Sequence, residues 1–498
     1  MGQTTGKKSI SLDPVDYLPN DMLWKIFGFL SVEDLCHLAV CSKAWRNVTN
    51  TNILWLHNCK LRDWERFGTE VDLRKDKPIH STETINSGAS PTFQVDLVIT
   101  GDCNLKDLAP TCEWKEVYMR AWHLDRNWSE GRYWVHRLAL PELSAVKTNC
   151  VSSDGRTFVA GEELGFVRLW DLNSGSLLRK IQTSGLITSP YQGVRKMVLK
   201  NNIGFAAFMG GVLVFEASTG KVLKLIRPGH DNDFDRYTPS GLYMEEDKVI
   251  VSYSLQSGRE SEGVPVHIWD ISGSVERGDV ACTETKLCTD SLNVSMRREM
   301  ECFACQGHWV ITSFEDETAF ILWDTRTSQH VRIYKGHSAE VRCGHLDEDT
   351  IMTGDSDGEI KVWTTDSDFC LKTLSTKHPE YSNFTCKFLL FNDKGIAAFF
   401  KPRRWACEEN FGFLVFWSRD GTPLNKYGST VKDYKVHGDR LVILHALDNL
   451  QVSVLEVSTG KCLLIREFDG KRDNTLHMDD TKIVLKFEDG DVVILQYW

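Results

Sequence analysis

Residues 335–363 read KGHSAEVRCGHLDEDTIMTGDSDGEIKVW. A Gly-His pair (Gly336, His337) leads into an alternating segment from Val341, and a second apolar segment covers residues 350–354. An Asp-rich turn then closes on Gly358, and a third segment ends at Trp363. Short runs of period-2 alternation broken by turn residues predict antiparallel strands. The same frame recurs with its closing residue at Trp170, Phe215, Trp269, Trp323, Trp417 and Leu455, and a cut-off last copy covers residues 482–498. Eight copies spaced 38 to 54 residues apart suit a propeller unit, for which about 40–45 residues is usual. The expected fold class is therefore mainly β, an eight-bladed β-propeller, with seven blades the alternative. The last copy supplies three strands, and a ring closes to remove open edges. Residues 133–140 alternate like a strand and are expected to complete that blade.

Composition narrows the class. The chain has 498 residues, 42% hydrophobic and 26% charged, with 15 cysteines and a net charge of −11. Nothing approaches the ~18 consecutive apolar residues of a membrane span, and the first 30 residues lack a signal-peptide core. Reduced cysteines and a cytoplasmic or nuclear location are expected. The acidic balance argues against a nucleic-acid partner. Cys302 and Cys305 form the one CxxC, but three residues apart on a strand they face opposite ways, and no second pair stands at zinc spacing. His337, Asp357, Thr353 and Trp363 suit a buried hydrogen-bond relay between strands better than a nucleophilic triad. No phosphate-loop, dinucleotide or kinase signature occurs. No catalytic residue, metal or cofactor is expected.

From Tyr17 to Trp55 the texture is helical. Pro19 suits a first helical turn. Leu23, Ile26, Phe27 and Leu30 recur at helical spacing as one apolar stripe. Ser31 with Asp34 reads as a capping box for a helix carrying Leu35 and Leu38. Ser42 caps a third helix bearing Trp45 and Val48. About forty residues with this much apolar surface cannot bury it internally, so a partner surface is expected.

The stretch LPNDMLWKIFGFLSVEDLCHLAVCSKAWRNVTNTNILW resembles an F-box, and the 335–363 frame resembles the WD repeat. The first resemblance implies docking on a Skp-type adaptor that bridges to a cullin–RING scaffold. The residues it assigns to that contact are Leu18, Pro19, Met22, Leu23, Ile26, Phe27, Leu30, Leu35, Leu38, Val40, Trp45, Leu54 and Trp55.

The expected domains are a disordered tail (1–15), the F-box (16–59), a flexible insertion (60–110), a linker helix (111–131) and the propeller (132–498). The linker sequence EWKEVYMRAWHLDRNWSEGRYW carries Trp114, Val117, Tyr118, Ala121, Leu124 and Trp128 as a stripe, with Gly131 as its C-cap. It resembles the linker helix of F-box/WD receptors of phosphorylated degrons. Only about 15 residues precede the F-box, so a monomer is expected.

Aligned on their second strands, the blades present Lys147, Arg195, Gly241, Cys302, Arg342, Lys387, Lys432 and Asn474 at the second residue of each first strand, blade 1 taking two extra loop residues. Five of eight are basic, where 58 Lys and Arg in 498 residues predict about one. The third strands add Arg168, His267 and Lys361, two residues before each closing Trp. Cations gathered at one mouth of an acidic protein suit an anionic ligand. Arg342 and Arg168 resemble the first- and third-strand arginines of the phospho-degron readers, and Arg342 is expected to weigh more than Lys387. The expected function is a non-catalytic substrate receptor of an SCF-type (Skp–cullin–F-box) ubiquitin ligase taking acidic or phosphorylated degrons. The alternative is an F-box/WD-repeat scaffold that assembles partners without ubiquitin transfer.

Overall fold

The computed structural model describes residues 14–62, 64, 112–140 and 148–498, apart from 154–156, 173, 183–192, 201, 210, 228–236, 246–247, 256–265, 271–282, 287–299, 315–316, 376–383, 403–410, 446–449, 469–474 and 488–489. Residues 1–13 of the expected tail and nearly all of the expected insertion lie outside these residues, while Pro14 and Val15, expected in the disordered tail, begin a helix. The chain divides into two compact units, Met1–Tyr133 with Tyr497–Trp498, and Trp134–Gln496.

The first unit is helical: α1 (Pro14–Tyr17), α2 (Asn20–Phe27), α3 (Val32–Cys41), α4 (Lys43–Thr49), α5 (Asn52–Lys60) and α6 (Glu113–Glu130). Pro19 stands at the N-cap of α2, one residue ahead of the first turn. Ser31 accepts from the Asp34 amide at 3.1 Å, as an N-cap does, and its hydroxyl donates to the Asp34 carboxylate at 2.7 Å. Ser42 accepts from the Trp45 amide at 3.2 Å. Gly131 ends α6 at φ +64°, where the Arg132 amide reaches the Asn127 carbonyl at 2.8 Å. A left-handed residue there satisfies carbonyls that the last helical turn leaves open.

The apolar surface that the forty F-box residues cannot bury among themselves is partly covered from within this unit. Leu23, Phe27, Leu35, Leu54 and Trp55 share one core with Tyr118 and Ala121 of α6. Lys115 of α6 donates to Asn50 at 2.8 Å and lies 4.9 Å over the Trp55 ring. Tyr497, from the far end of the chain, stacks on Trp128 at 3.6 Å, and its carbonyl accepts from Asn127 at 2.8 Å. The helix α6 thus covers part of this surface from within the unit, while Met22, Ile26, Phe29, Val40 and Ile53 stay exposed for a partner.

The second unit is all β. Among the described residues six sheets have four strands each and one has seven, all pairings antiparallel. In the seven-stranded sheet the long strand Pro423–His437 pairs with Phe411–Trp417 through Thr430, then with Arg440–His445 from Val431 onward. Counted in both places, that strand makes the set eight sheets of four. Trp134–Ala139 pairs with Asp491–Gln496 over six residue pairs, from Trp134↔Gln496 to Ala139↔Asp491. The fourth strand of the last sheet therefore comes from the start of the β unit. Apolar side chains fill the space between neighbouring sheets. Val159, Val167 and Leu169 meet Val194, Leu213 and Phe215, while Phe158 and Trp170 meet Val484 and Ile494 across the seam.

The relay is present, with one member changed. His337 Nδ1 lies 3.0 Å from Asp355 and Nε2 2.7 Å from Thr353 Oγ1, to which the Trp363 indole donates at 2.8 Å. Asp355, not Asp357, is the acid. The Asp357 backbone amide instead donates to Asp355 at 3.0 Å, beside that of Glu359 at 2.8 Å. Gly336 precedes the histidine at φ +148°, and a Cβ there would stand 3.2 Å from the Trp363 ring. Thr353→Val removes a buried hydroxyl serving both His337 and Trp363. It should cost roughly 2–4 kcal/mol, because each orphaned buried group costs about 1–3 kcal/mol. A urea titration followed by Trp fluorescence reads this directly.

Candidate functional site

The first strands of seven sheets share a register shift, one extra residue set against the second strand. Such a bulge breaks the ladder locally and re-aims a side chain. The extra residues are Asn149, Arg195, Ser240, Glu301, Arg342, Lys387 and Lys432. Neighbouring bulges meet. Asn149 donates to the Val194 carbonyl at 3.0 Å, the Cys343 and Cys386 sulfurs are 3.3 Å apart, and Phe388 stacks on Tyr434 at 4.0 Å. These contacts join the bulged strands of neighbouring sheets in pairs.

Arg195, Arg342, Lys387 and Lys432 thus stand where the sequence alignment set them. Three other positions change. Asn149 takes the place assigned to Lys147, so blade 1 needs no extra loop residues, and Lys147 itself lies outside the described residues, as does Asn474. Ser240 and Glu301 replace Gly241 and Cys302 by a shift of one residue. Bulge register is invisible to a count of residues between apolar strands, which explains these misses.

The cations differ in what they face. Arg195, Lys387 and Lys432 are exposed, as is Lys196 beside Arg195, which the sequence reading passed over. Arg342 is half-buried and paired with Glu340. Two of the third-strand cations, Arg168 and Lys361, are largely covered. Arg168 is nearly buried, 2.8 Å from the buried Glu162, and Lys361 is 3.0 Å from Glu359 and 3.1 Å from Thr373. Burial raises the Glu162 carboxyl above its ordinary range, and Arg168 opposes that rise. His267 occupies the matching position, opposite Val251. Of the expected cations, Arg168 and Lys361 are therefore held in ion pairs, Arg195, Lys387 and Lys432 are exposed, and the side chain of His267 lies outside the described residues. Arg342, Lys387 and Lys432 belong to three successive sheets, so positive charge is concentrated on one arc.

On the helical unit, Met22 (54% exposed), Ile26 (50%) and Val40 (74%) remain open, with Pro19 also exposed and Leu18, Leu30, Leu38 and Trp45 partly so. Leu23, Phe27, Leu35, Leu54 and Trp55 belong to the unit's own core and present almost no surface. The stripe expected as one face is therefore split, Leu23 and Phe27 facing inward and Ile26 outward. Phe29, 92% exposed, and Ile53, 53% exposed, are further apolar surface that the helical-period reading did not select.

Among the described residues His337, Asp355 and Glu359 also gather potential metal-ligand atoms within 4.8 Å. Both ring nitrogens of that histidine are engaged by Asp355 and Thr353. The group is the relay.

A family profile described as F-box-like matches residues 15–60, and one described as WD domain, G-beta repeat matches residues 328–364. The chain thus carries an F-box-like segment followed by a WD repeat. Relatives include the human angio-associated migratory cell protein, 26% identical over 50% of this chain and 58% of that one. A probable E3 ubiquitin ligase complex SCF subunit sconB of Arthroderma benhamiae is 25% identical over 34% of this chain and 25% of its own length. An F-box protein of Saccharomyces cerevisiae is 21% identical over 34% of this chain and 25% of its own length. The match thus spans little more than half of the first relative and a quarter of the other two. In fold, the protein resembles the crystal structure of the computationally designed Ika8 protein. That match has a TM-score of 0.51 at 19% identity and covers 70% of this chain and 96% of that one.

Proposed function

We propose that this protein is the substrate receptor of an SCF-type ubiquitin ligase. Its helical unit binds a Skp-type adaptor, and through it a cullin–RING scaffold. Its propeller receives an acidic or phosphorylated segment of a protein destined for ubiquitination. The chain itself performs no chemistry and works in the cytoplasm or nucleus. The observation that carries the reading is the apolar set Met22, Ile26, Phe29 and Val40, left open on a unit whose core residues Leu23, Phe27, Leu35, Leu54 and Trp55 are packed. Exposed apolar side chains of this kind mark interaction surfaces. The fungal relatives named as an SCF subunit and an F-box protein support the same role. The bulge cations supply the anion-facing half.

The test is direct binding of purified adaptor. Ile26→Asp places a charge where an apolar contact is expected, forgoing ~1.5–3 kcal/mol of burial and adding a desolvation penalty. Adaptor affinity should fall at least a hundredfold with the melting temperature unchanged, since Ile26 is outside the core. Unaltered affinity would refute the adaptor reading. Leu23→Asp is unsuitable, because Leu23 is 1% exposed and its loss would unfold the unit.

A further inference from the structure

Two thiols meet where two bulge cations stand. Cys343, on the strand Val341–Asp347, and Cys386, on Phe384–Phe391, are both buried free cysteines with their sulfurs 3.3 Å apart. Cys343 immediately follows Arg342, and Cys386 immediately precedes Lys387. The pair is held by packing. A Cβ on Gly354 would stand 2.7 Å from the Cys386 sulfur and 2.9 Å from that of Cys343, so only glycine leaves room for both. The Cys386 thiol also reaches the Phe388 carbonyl at 3.6 Å.

We propose that Cys343 and Cys386 are an oxidation site, closing to a disulfide that joins two neighbouring sheets when a hydroperoxide reaches them. Cys343 is 8% exposed and Cys386 is fully covered, so the first attack falls to Cys343. Its thiolate displaces one oxygen of hydrogen peroxide, giving a sulfenic acid and one water. The Cys386 thiolate then attacks that sulfur and expels a second water. Two S–H bonds and one O–O bond are lost, one S–S bond forms, each sulfur is oxidised by one electron and the peroxide oxygens are reduced. Reaching bonding distance from 3.3 Å brings the two sulfurs closer by about 1.2 Å, since a disulfide is ~2.05 Å long, and side-chain torsion and strand shift share that movement. The residues next to the moving sulfurs are Arg342 and Lys387. Oxidation therefore resets the spacing of two anion-facing cations, a consequence that rests on the receptor reading above.

The experiment uses the full chain, dilute enough that the exposed Cys36, Cys41 and Cys370 do not link separate molecules. It is treated with hydrogen peroxide and mapped by non-reducing proteolysis and mass spectrometry. A peptide joining Cys343 to Cys386 should form, disappear with dithiothreitol, and be absent from Cys386→Ser and Cys343→Ser. Oxidation of Cys36, Cys41 and Cys370 with no 343–386 link would overturn the site. In parallel, the affinity of reduced and oxidised protein for a fluorescein-labelled hexaglutamate peptide is measured. Oxidation should change it at least threefold in the wild type and leave Cys386→Ser unchanged. A link that forms without altering affinity overturns the coupling to the cations. If the reduced protein does not bind the peptide, the anion-receptor reading fails, while the linked peptide still judges the oxidation site.

Discussion

Changing Arg195, Lys387 and Lys432 together to glutamate should weaken binding of an acidic or phosphorylated peptide by more than a thousandfold, with the propeller melting at the wild-type temperature. The three side chains are exposed on bulges, so little native packing is lost. Each charge-assisted hydrogen bond contributes ~1.5–3 kcal/mol, which is roughly ten- to hundredfold in affinity. Reversing the charge adds repulsion that grows as salt is lowered. Singly, Lys387→Ala and Arg195→Ala should each cost more than Arg342→Ala. Arg342 already faces Glu340, so its removal deletes an internal pair along with any ligand contact. Arg168→Ala should act on stability instead, since it strips the partner from the buried Glu162. Fluorescence anisotropy at low and at raised salt separates these effects. Equal affinity for wild type and the triple variant at low salt would move recognition away from the bulges.

The protein should also lose stability steeply as pH falls from about 6.5 towards 5. Burial holds the imidazoles of His345, His445 and His477 down at about 4, where a free histidine titrates near 6.5. His445 is further fixed by Ser453, 2.7 Å from its Nε2. The native state keeps these rings neutral while the unfolded chain takes up protons. Stability from this source is complete above the unfolded value and declines as pH drops below it. At pH 5 the loss should be on the order of 1–2 kcal/mol per histidine. Glu162, Asp347 and Asp439, whose carboxyls burial raises, act in the opposite sense: the native state takes up their protons at higher pH than the unfolded chain does, which offsets part of the histidine loss as pH falls. Urea midpoints measured at intervals from slightly alkaline pH down to about 5 should fall in order, and changing all three histidines to asparagine should flatten the curve. A wild-type midpoint that stays constant over that range would contradict the neutral-histidine account.

Much of the fold could be read from the sequence, because strand alternation and closing aromatics are local signals. The relay of His337, Thr353 and Trp363 and the caps at Ser31, Ser42 and Gly131 were readable for the same reason. What could not be read was long-range. The sequence shows Leu23 and Ile26 as one stripe, and only the packing of the helices on one another decides that Leu23 turns inward. It shows Arg168 and Lys361 as cations, and only the fold sets Glu162 and Glu359 against them. Bulge register moved the basic position from Lys147 to Asn149, since one extra residue against the partner strand leaves no trace in hydrophobic spacing. The choice between Asp355 and Asp357 turned on the same kind of detail, which carboxylate the turn folds back toward His337.

The most direct test of the receptor account compares proteins captured from cells by the intact chain and by Ile26→Asp, each with and without proteasome inhibition. The account predicts that the intact protein brings down adaptor and cullin, and that its other partners carry ubiquitin and accumulate when the proteasome is blocked. Ile26→Asp should retain those partners, lose adaptor and cullin, and show no response to the inhibitor. Cullin retained by Ile26→Asp, or partners of the intact protein that neither carry ubiquitin nor accumulate, would contradict it.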